Sequence, residues 1–585
     1  MKKNNLTLKE TFKLAVEYYN NKNYLVAENL CTKILSIDPD HFESMVLQSN
    51  MFAIKGNYKK AKELLIRANE TQPDNLSVLN NLGTACKELR DTKEAITYYE
   101  KVLQLNPKHT NAQFNLGVAF YQLRDLKKAK DFFTKTTQIQ PNYALAFINL
   151  ANVCVELKEY ENAVSNYQKS IEVNPKIVSA HNNLGLVFRT LNDYDNAISC
   201  YKKALELNPK HGGAHHNLAL ALKELGNFKE AIKSHEAAIE CEPDNLINYF
   251  YLNDLKKEIL NSNLKNKIIK IIKKKNQPKN NIAYGNYLLS KYERKDNNYK
   301  KELNYLIEGH KYFFNSKKEK FELAVKYCFQ DLIQISQGVK VDKLNNKKEK
   351  KIKPIFIIGV PRCGSTLVEK IIGSGKNFIP MGEETAVLEN YINFKILEKQ
   401  SLNLGDVNDE ISNIYKNKGL ILEKFQNRFT DKSLNNFFYL ELIHDIYPNA
   451  KIINCQRDVL SSIMSIFQNN ITELAWTHDL SNIFKYFNNY FEIIRNYKKV
   501  NDNSFYDLKF EDLVNNPEIE TKKLMEFCDL PWDKKCLEFY KRKDLISKTA
   551  SNVQVRQAIY KHTLEKYIPY KKLLDEYGKQ YSWFK

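Results

Sequence analysis

PIFIIGVPRCGSTLVEKIIGSG, residues 354–375, divides the chain into two chemistries. IFII is a short apolar run rich in β-branched residues, which suits a central parallel strand buried on both faces. GVPRCGS reads as a turn, and STLVEKIIG opens a helix. A strand-loop-helix unit of this kind aims successive backbone N–H groups and the positive end of a helix at one point, which makes an anion site. Arg362 adds a planar, permanently charged fork. A nucleoside-triphosphate loop needs Lys after the second glycine, but Gly364 is followed by Ser365 and Thr366, which disfavours a kinase.

A second such unit follows. KIINCQ, 451–456, reads as a strand with Arg457 at its carboxyl end, and Ser465 stands eight residues further on, about two turns along a helix. Ligands of open parallel sheets lie at the carboxyl ends of strands. Arg457 and Ser465 therefore share a crevice with Arg362, and two anion sites suit a nucleotide phosphorylated at both ends.

Upstream, Pro39, Pro73, Pro107, Pro141, Pro175, Pro209 and Pro243 are each 34 residues apart. Small residues recur with them: Ala15, Ser49, Gly83, Gly117, Ala151, Gly185 and Ala219 on a first helix, and Ala27, Ala61, Ala95, Ala129, Ala163, Ala197 and Ala231 on a second. Close crossing of two helices requires small side chains, and proline ends each pair because it cannot continue a helix interior. This pattern resembles the tetratricopeptide repeat over residues 8–245. Solenoids of this type bind peptides or partner helices on a concave face lined by first helices. Asn81, Asn115, Asn149, Asn183 and Asn217 recur on those helices. A ladder of amides can pair with both donors and acceptors of an extended backbone, and this one resembles the acceptor-polypeptide ladder of the O-linked N-acetylglucosamine transferase. Asparagine favoured for repeat packing alone is the competing reading.

Residues 246–353 stay helical without the 34-residue register and read as a helical cap and basic linker. The chain carries a net charge of +20, and residues 256–353 hold 26 Lys+Arg against 10 Asp+Glu, leaving a surplus of only 4 elsewhere. The segment is Lys- and Asn-rich with almost no Arg, which describes a solvated linker and makes nucleic acid an improbable partner. With 43% apolar residues the chain can bury more than one core. No apolar run reaches the ~20 residues of a membrane span. Ten cysteines without a CxxC pair speak against structural zinc or a disulfide framework. The expectation is a cytoplasmic protein without a metal.

PRCGSTL resembles the PRSGTTL loop of sulfotransferases, and Arg457 to Ser465 is similar to their 3′-phosphate site. GEET (382–385), TDKSLNNF (430–437), FEDLV (510–514) and TASNVQVRQAIY (549–560) extend the resemblance over 354–585, toward bacterial tetratricopeptide-repeat sulfotransferases and tyrosylprotein sulfotransferases. It implies a multidomain chain: an all-α tetratricopeptide-repeat solenoid, then an α/β P-loop-like sulfotransferase domain with a central parallel sheet. The implied donor is 3′-phosphoadenosine 5′-phosphosulfate. Arg362, Cys363, Gly364, Ser365 and Thr366 would hold its 5′-phosphosulfate, Arg457 and Ser465 its 3′-phosphate, and Lys566 a further contact. Glu384 matches the family's catalytic base, and Lys432 and Ser551 match the groups that stabilise the transferring sulfonate. Such a site would move a sulfonate to an acceptor hydroxyl, with protein tyrosine one candidate. His478 is the alternative base, since cytosolic sulfotransferases use histidine.

Beyond Cys363 for Ser and Ser365 for Thr in the loop, four positions depart from the family pattern. Ala386 and Asn390 stand where tyrosylprotein sulfotransferases carry arginines that grip acidic residues, Asn469 replaces an arginine near the 3′-phosphate, and Phe510 a donor-binding tyrosine. An acidic-peptide acceptor is not expected. A non-enzymatic scaffold whose α/β domain binds a nucleotide is the second reading of the chain.

Overall fold

The computed structural model describes residues 7–338, 352–376, 379–397, 404–422, 427–499, 504–542, 554–559 and 564–584. The chain divides into two compact units, Met1–Leu218 and Ala219–Lys585.

The first unit is built of helix pairs. First helices start at Leu8, Phe42, Leu76, Thr110, Ala144 and Val178, and second helices at Tyr24, Tyr58, Thr92, Leu126, Tyr160 and Tyr194, each series spaced by 34 residues. Asn23, Asn57, Asp91, Asp125 and Asp193 cap second helices by accepting from a backbone N–H in the first turn, which satisfies groups a helix start leaves orphaned. The recurring small residues act as the spacing requires. A Cβ on Gly83 would stand 2.5 Å from the Tyr99 ring, one on Gly117 2.6 Å from Phe133, and one on Gly185 2.6 Å from Tyr201. Those rings are themselves buried, so they cannot move aside.

The second unit continues with helices Phe228–Cys241, Leu246–Leu255, Ser262–Ile272, Lys279–Lys295 and Tyr299–Ser316. Here the structure corrects the sequence reading that the 34-residue register is lost after 245. Leu246 and Ser262 begin their helices 34 residues after Gly212 and Phe228, so the helix starts keep the repeat spacing for one more pair. Asn253 and Lys265 occupy the small-residue positions in that pair, which removes the sequence signal.

Five strands follow: β1 Lys353–Ile358, β2 Met381–Glu383, β3 Arg428–Lys432, β4 Lys451–Gln456 and β5 Phe505–Lys509, in the order β2-β3-β1-β4-β5. All pairings are parallel, with Ile358 opposite Asn454. The chain leaves β1 toward β2 and β3, then crosses to β4 and β5. Connections diverge between β1 and β4, and that divergence opens a crevice at their carboxyl ends.

One hydrophobic core runs from Leu246 to Phe584 and joins the bridging helices to the sheet. Polar ties cross it. Buried Glu302 accepts from Arg294, Gln468 and the Tyr570 hydroxyl. His310 Nε2 donates to the Phe467 carbonyl at 2.7 Å. Burial pushes His310 down to about 4 and His478, beside it, to about 2, so both imidazoles are neutral at pH 7.

Gly117→Val should lower stability by about 2 kcal/mol through overpacking against Phe133, measured by urea unfolding of the full chain. Stability equal to that of the unsubstituted chain would contradict the close crossing.

Candidate active site

Two loops meet at the crevice. After β1 the backbone is left-handed at Arg362 (φ +70°) and at Gly364 (φ +102°). A Cβ on Gly364 would lie 2.5 Å from Phe510, so only glycine fits there. The helix Ser365–Gly373 begins with Gly364 as its cap residue and no side chain capping it. Thr366 is buried in its first turn. Cys363 is 1% exposed and held low by a hydrogen bond from Cys455 and by its contact with Ser365. Its contribution to the loop is therefore backbone and packing.

The structure brings Arg362, Arg457 and Ser465 together. Arg362 Nε donates to Ser465 Oγ at 3.0 Å, and its Nη2 to Gln554 Oε1 at 2.9 Å. Arg457 Nη1 donates to the Arg362 carbonyl at 3.0 Å, its guanidinium lies 4.9 Å above the Phe510 ring, and its buried Nε has no hydrogen-bond acceptor among the described residues. Two guanidiniums 95 residues apart in sequence thus line one crevice, a charge arrangement that asks for an anion. Asn469 donates to the Ser465 carbonyl at 2.7 Å, so it fixes the end of the helix carrying Ser465.

Beside this crevice, at the ends of β2 and β3, lies the second group of expected residues. Glu384 Oε1 accepts from Lys432 Nζ at 2.8 Å, and its Oε2 from the Leu434 N–H at 3.3 Å. The Glu384 side chain is half exposed, whereas Lys432 is buried and also 3.7 Å from Glu383. Burial alone would lower the Lys432 ammonium, but Glu384, Glu383 and Glu369 outweigh it and hold it well above its ordinary value. Glu384 and Ala386 are both left-handed, at φ +53° and +48°. Such a backbone costs about 1–2 kcal/mol per non-glycine residue, and a buried frame supports it: Ser433 Oγ accepts from the Ala386 N–H, and Asp431 accepts from Thr385, Ser433, Asn436 and Tyr415.

Glu369, Asp431 and Gln554 had no sequence signal of their own. Glu369 sits four residues into the helix after the loop, fully buried, accepting from Thr430 Oγ1 at 2.8 Å. Burial pushes it up to about 7, with Lys432 pulling down and Glu383 pushing up. Lys370 is buried and lowered by that burial.

Lys566 is exposed, with its ammonium 5.0 Å over the Tyr567 ring, and Ser551 lies outside the described residues. His478 is buried against Phe313 and Phe321 in the bridging helices. In the first unit the ladder is cross-linked: Asn81 donates to Asn50, Asn115 to Asn80, Asn183 to Asn152 and Asn217 to Asn182, while Asn149 donates to the Leu145 carbonyl.

Comparison with known proteins places these features. Residues 354–534 match the family model described as "Sulfotransferase family", and tetratricopeptide-repeat models match 178–211 and 200–233. A protein of Aquifex aeolicus without an assigned function is 30% identical over 319 residues, 51% of this chain and 41% of that one. Protein-tyrosine sulfotransferase A of Caenorhabditis elegans is 28% identical over 221 residues, 34% of this chain and 56% of its own length. The protein-tyrosine sulfotransferase of Drosophila melanogaster is 26% identical over 220 residues, 34% and 44%. The chain thus spans about half the length of the curated relatives it matches. Among solved structures, MamA covers 28% of this chain and 95% of its own at 26% identity and a TM-score of 0.27. YrrB, titled a TPR protein with an unusual peptide-binding site, covers 32% and 97% at 22% identity and 0.29. Residues 354–534 are thus similar to the sulfotransferase family, and the chain ahead of them contains tetratricopeptide repeats.

Raised Glu369 binds a proton in the folded state that it releases when unfolded, so its contribution to stability is lost as pH rises from 4.5 toward 7. Glu369→Gln should flatten the thermal stability profile across that window. A melting curve whose pH dependence is unchanged by the substitution would contradict this assignment.

Proposed function

We propose that the chain transfers a sulfonate from 3′-phosphoadenosine 5′-phosphosulfate to an acceptor hydroxyl. The observation that carries this reading is the joining of Arg362, Ser465 and Arg457 at the divergence of β1 and β4. The crevice fits a doubly anionic nucleotide: it has two guanidiniums, an orphaned buried Arg457 Nε and a helix start without a side-chain cap. Backbone N–H groups of residues 363–366 and Arg362 would take the 5′ end, and Arg457 with Ser465 the 3′-phosphate. When bound, the donor supplies an electrophilic sulfur and a phosphate leaving group.

Glu384 is the base in this reading. It is half exposed beside the crevice, and it takes the acceptor proton as the new O–S bond forms and the S–O bond to phosphate breaks. Lys432, kept charged by its three carboxylates, neutralises charge on the departing phosphate. Ser551 and Lys566 are assigned to the same donor. Position and electrostatics are the main requirements of such a transfer, as in phosphoryl transfer.

The asparagine ladder is assigned to a polypeptide acceptor or partner, held by its backbone. Among the described residues no helix is long and apolar enough to cross a membrane. All ten cysteines are unpaired, which supports a reducing, cytoplasmic setting.

Calorimetry with the phosphosulfate donor tests the reading. Arg362→Ala and Arg457→Ala should each weaken binding at least tenfold, and undiminished affinity in both would sink the donor assignment. Glu384→Gln should bind the donor normally and lose at least a hundredfold in turnover. Donor binding without product release for any acceptor would instead favour a scaffold.

A further inference from the structure

Outside the catalytic crevice, the second unit holds a cavity of about 680 Å³, within the size range of small-molecule sites. Its walls come from helices Leu246–Leu255, Lys279–Lys295 and Tyr299–Ser316, with Thr472 from the sheet domain. Three rings line it, Tyr251, Tyr284 and Phe313, together with Lys279 and Lys317. No carboxylate is among the lining residues.

The charges there agree in sign. Among the described residues neither lysine makes an ion pair. Lys279 Nζ donates only to the Asn315 carbonyl at 3.4 Å. Lys317 lies over Phe313 at 4.9 Å and Phe321 at 5.5 Å; burial lowers it, and Glu473 offsets that from beyond ion-pair range. The helix Lys279–Lys295 begins at the cavity wall, with Pro278 as a cap residue that offers no side-chain acceptor. Helix starts carry partial positive charge. Nearby, the buried Asn470 amide lies within reach of the Tyr284 hydroxyl.

We propose that this cavity is a binding site for an aryl anion, a planar ring bearing sulfate, phosphate or carboxylate. The rings of Tyr251, Tyr284 and Phe313 take the planar body, and Lys279 and Lys317 take the charge. Tyr251 follows Asn217 by one 34-residue period and so stands at the next ladder position. Asn470 and Thr472 follow Ser465 in sequence by five and seven residues, so a ligand here adjoins the segment that leaves the anion crevice.

The probe is 4-nitrophenyl sulfate, titrated calorimetrically into the full chain carrying Arg362→Ala and Arg457→Ala, which disables the other anion site. Binding should persist in that background, weaken at least tenfold when Lys279→Gln and Lys317→Gln are added, and be at least tenfold weaker for neutral 4-nitrophenol. Tyr251→Leu should weaken it with both lysines intact. An unchanged melting temperature in the glutamine variant separates lost binding from lost folding. O-sulfotyrosine as the free amino acid and within a peptide distinguishes the two sources. Equal affinity indicates a free aryl anion, and a tenfold gain for the peptide indicates a side chain of a bound polypeptide. No binding in the arginine-disabled background, or binding indifferent to both lysines, overturns the proposal.

Discussion

The parallel pairing of β1 with β4 is the constraint from which the site follows. Residues 96 apart in sequence lie side by side, Ile355 opposite Lys451 through Ile358 opposite Asn454, so the loops that follow the two strands emerge at one edge. That adjacency lets Arg457 reach the Arg362 carbonyl, and Arg362 reach Ser465 two turns along the helix after β4. Four buried apolar residues of β1, Ile355 to Ile358, hold the pair in register. At about 25 cal/mol per Å² of apolar surface, this burial is the driving force that brings two like charges into one crevice. The crevice is therefore anion-seeking before any ligand arrives.

The neighbouring cluster answers a different constraint. Lys432 is buried, and a buried ammonium persists only if carboxylates surround it. Glu383, Glu384 and Glu369 do so from β2, the turn after it and the helix after the loop. Because Glu384 alone of the three is half exposed, it combines contact with Lys432 and access to solvent. Asp431, accepting from four residues, holds the turn that presents it.

What was legible in the sequence followed the range of the interactions. The repeats were legible because capping, close crossing and proline all act within 34 residues. β1 and β4 were legible as apolar runs with arginine after each. Strand β3, Arg428–Lys432, was not, because RFTDK looks polar and becomes fully buried only through partners elsewhere in the chain. Glu369 and Gln554 escaped for the same reason: Thr430 is 61 residues from the one, and Arg362 192 from the other. The pair Leu246–Leu255 and Ser262–Ile272 kept the repeat spacing but lost its small residues, so composition hid what geometry retained. Arg362, Arg457 and Ser465 converge as their spacing suggested, and Glu384 with Lys432 forms a pair that the resemblance alone could not have shown.

The central claim is that Arg362 and Arg457 grip opposite ends of one nucleotide. A crystal structure with adenosine 3′,5′-bisphosphate tests it most directly. The account predicts the 5′-phosphate at the start of helix Ser365–Gly373 and the 3′-phosphate accepting from Arg457 and Ser465, with Arg362 drawn off Ser465 toward the ligand. A nucleotide bound away from the β1–β4 divergence, or one touching only one of the two arginines, would contradict it.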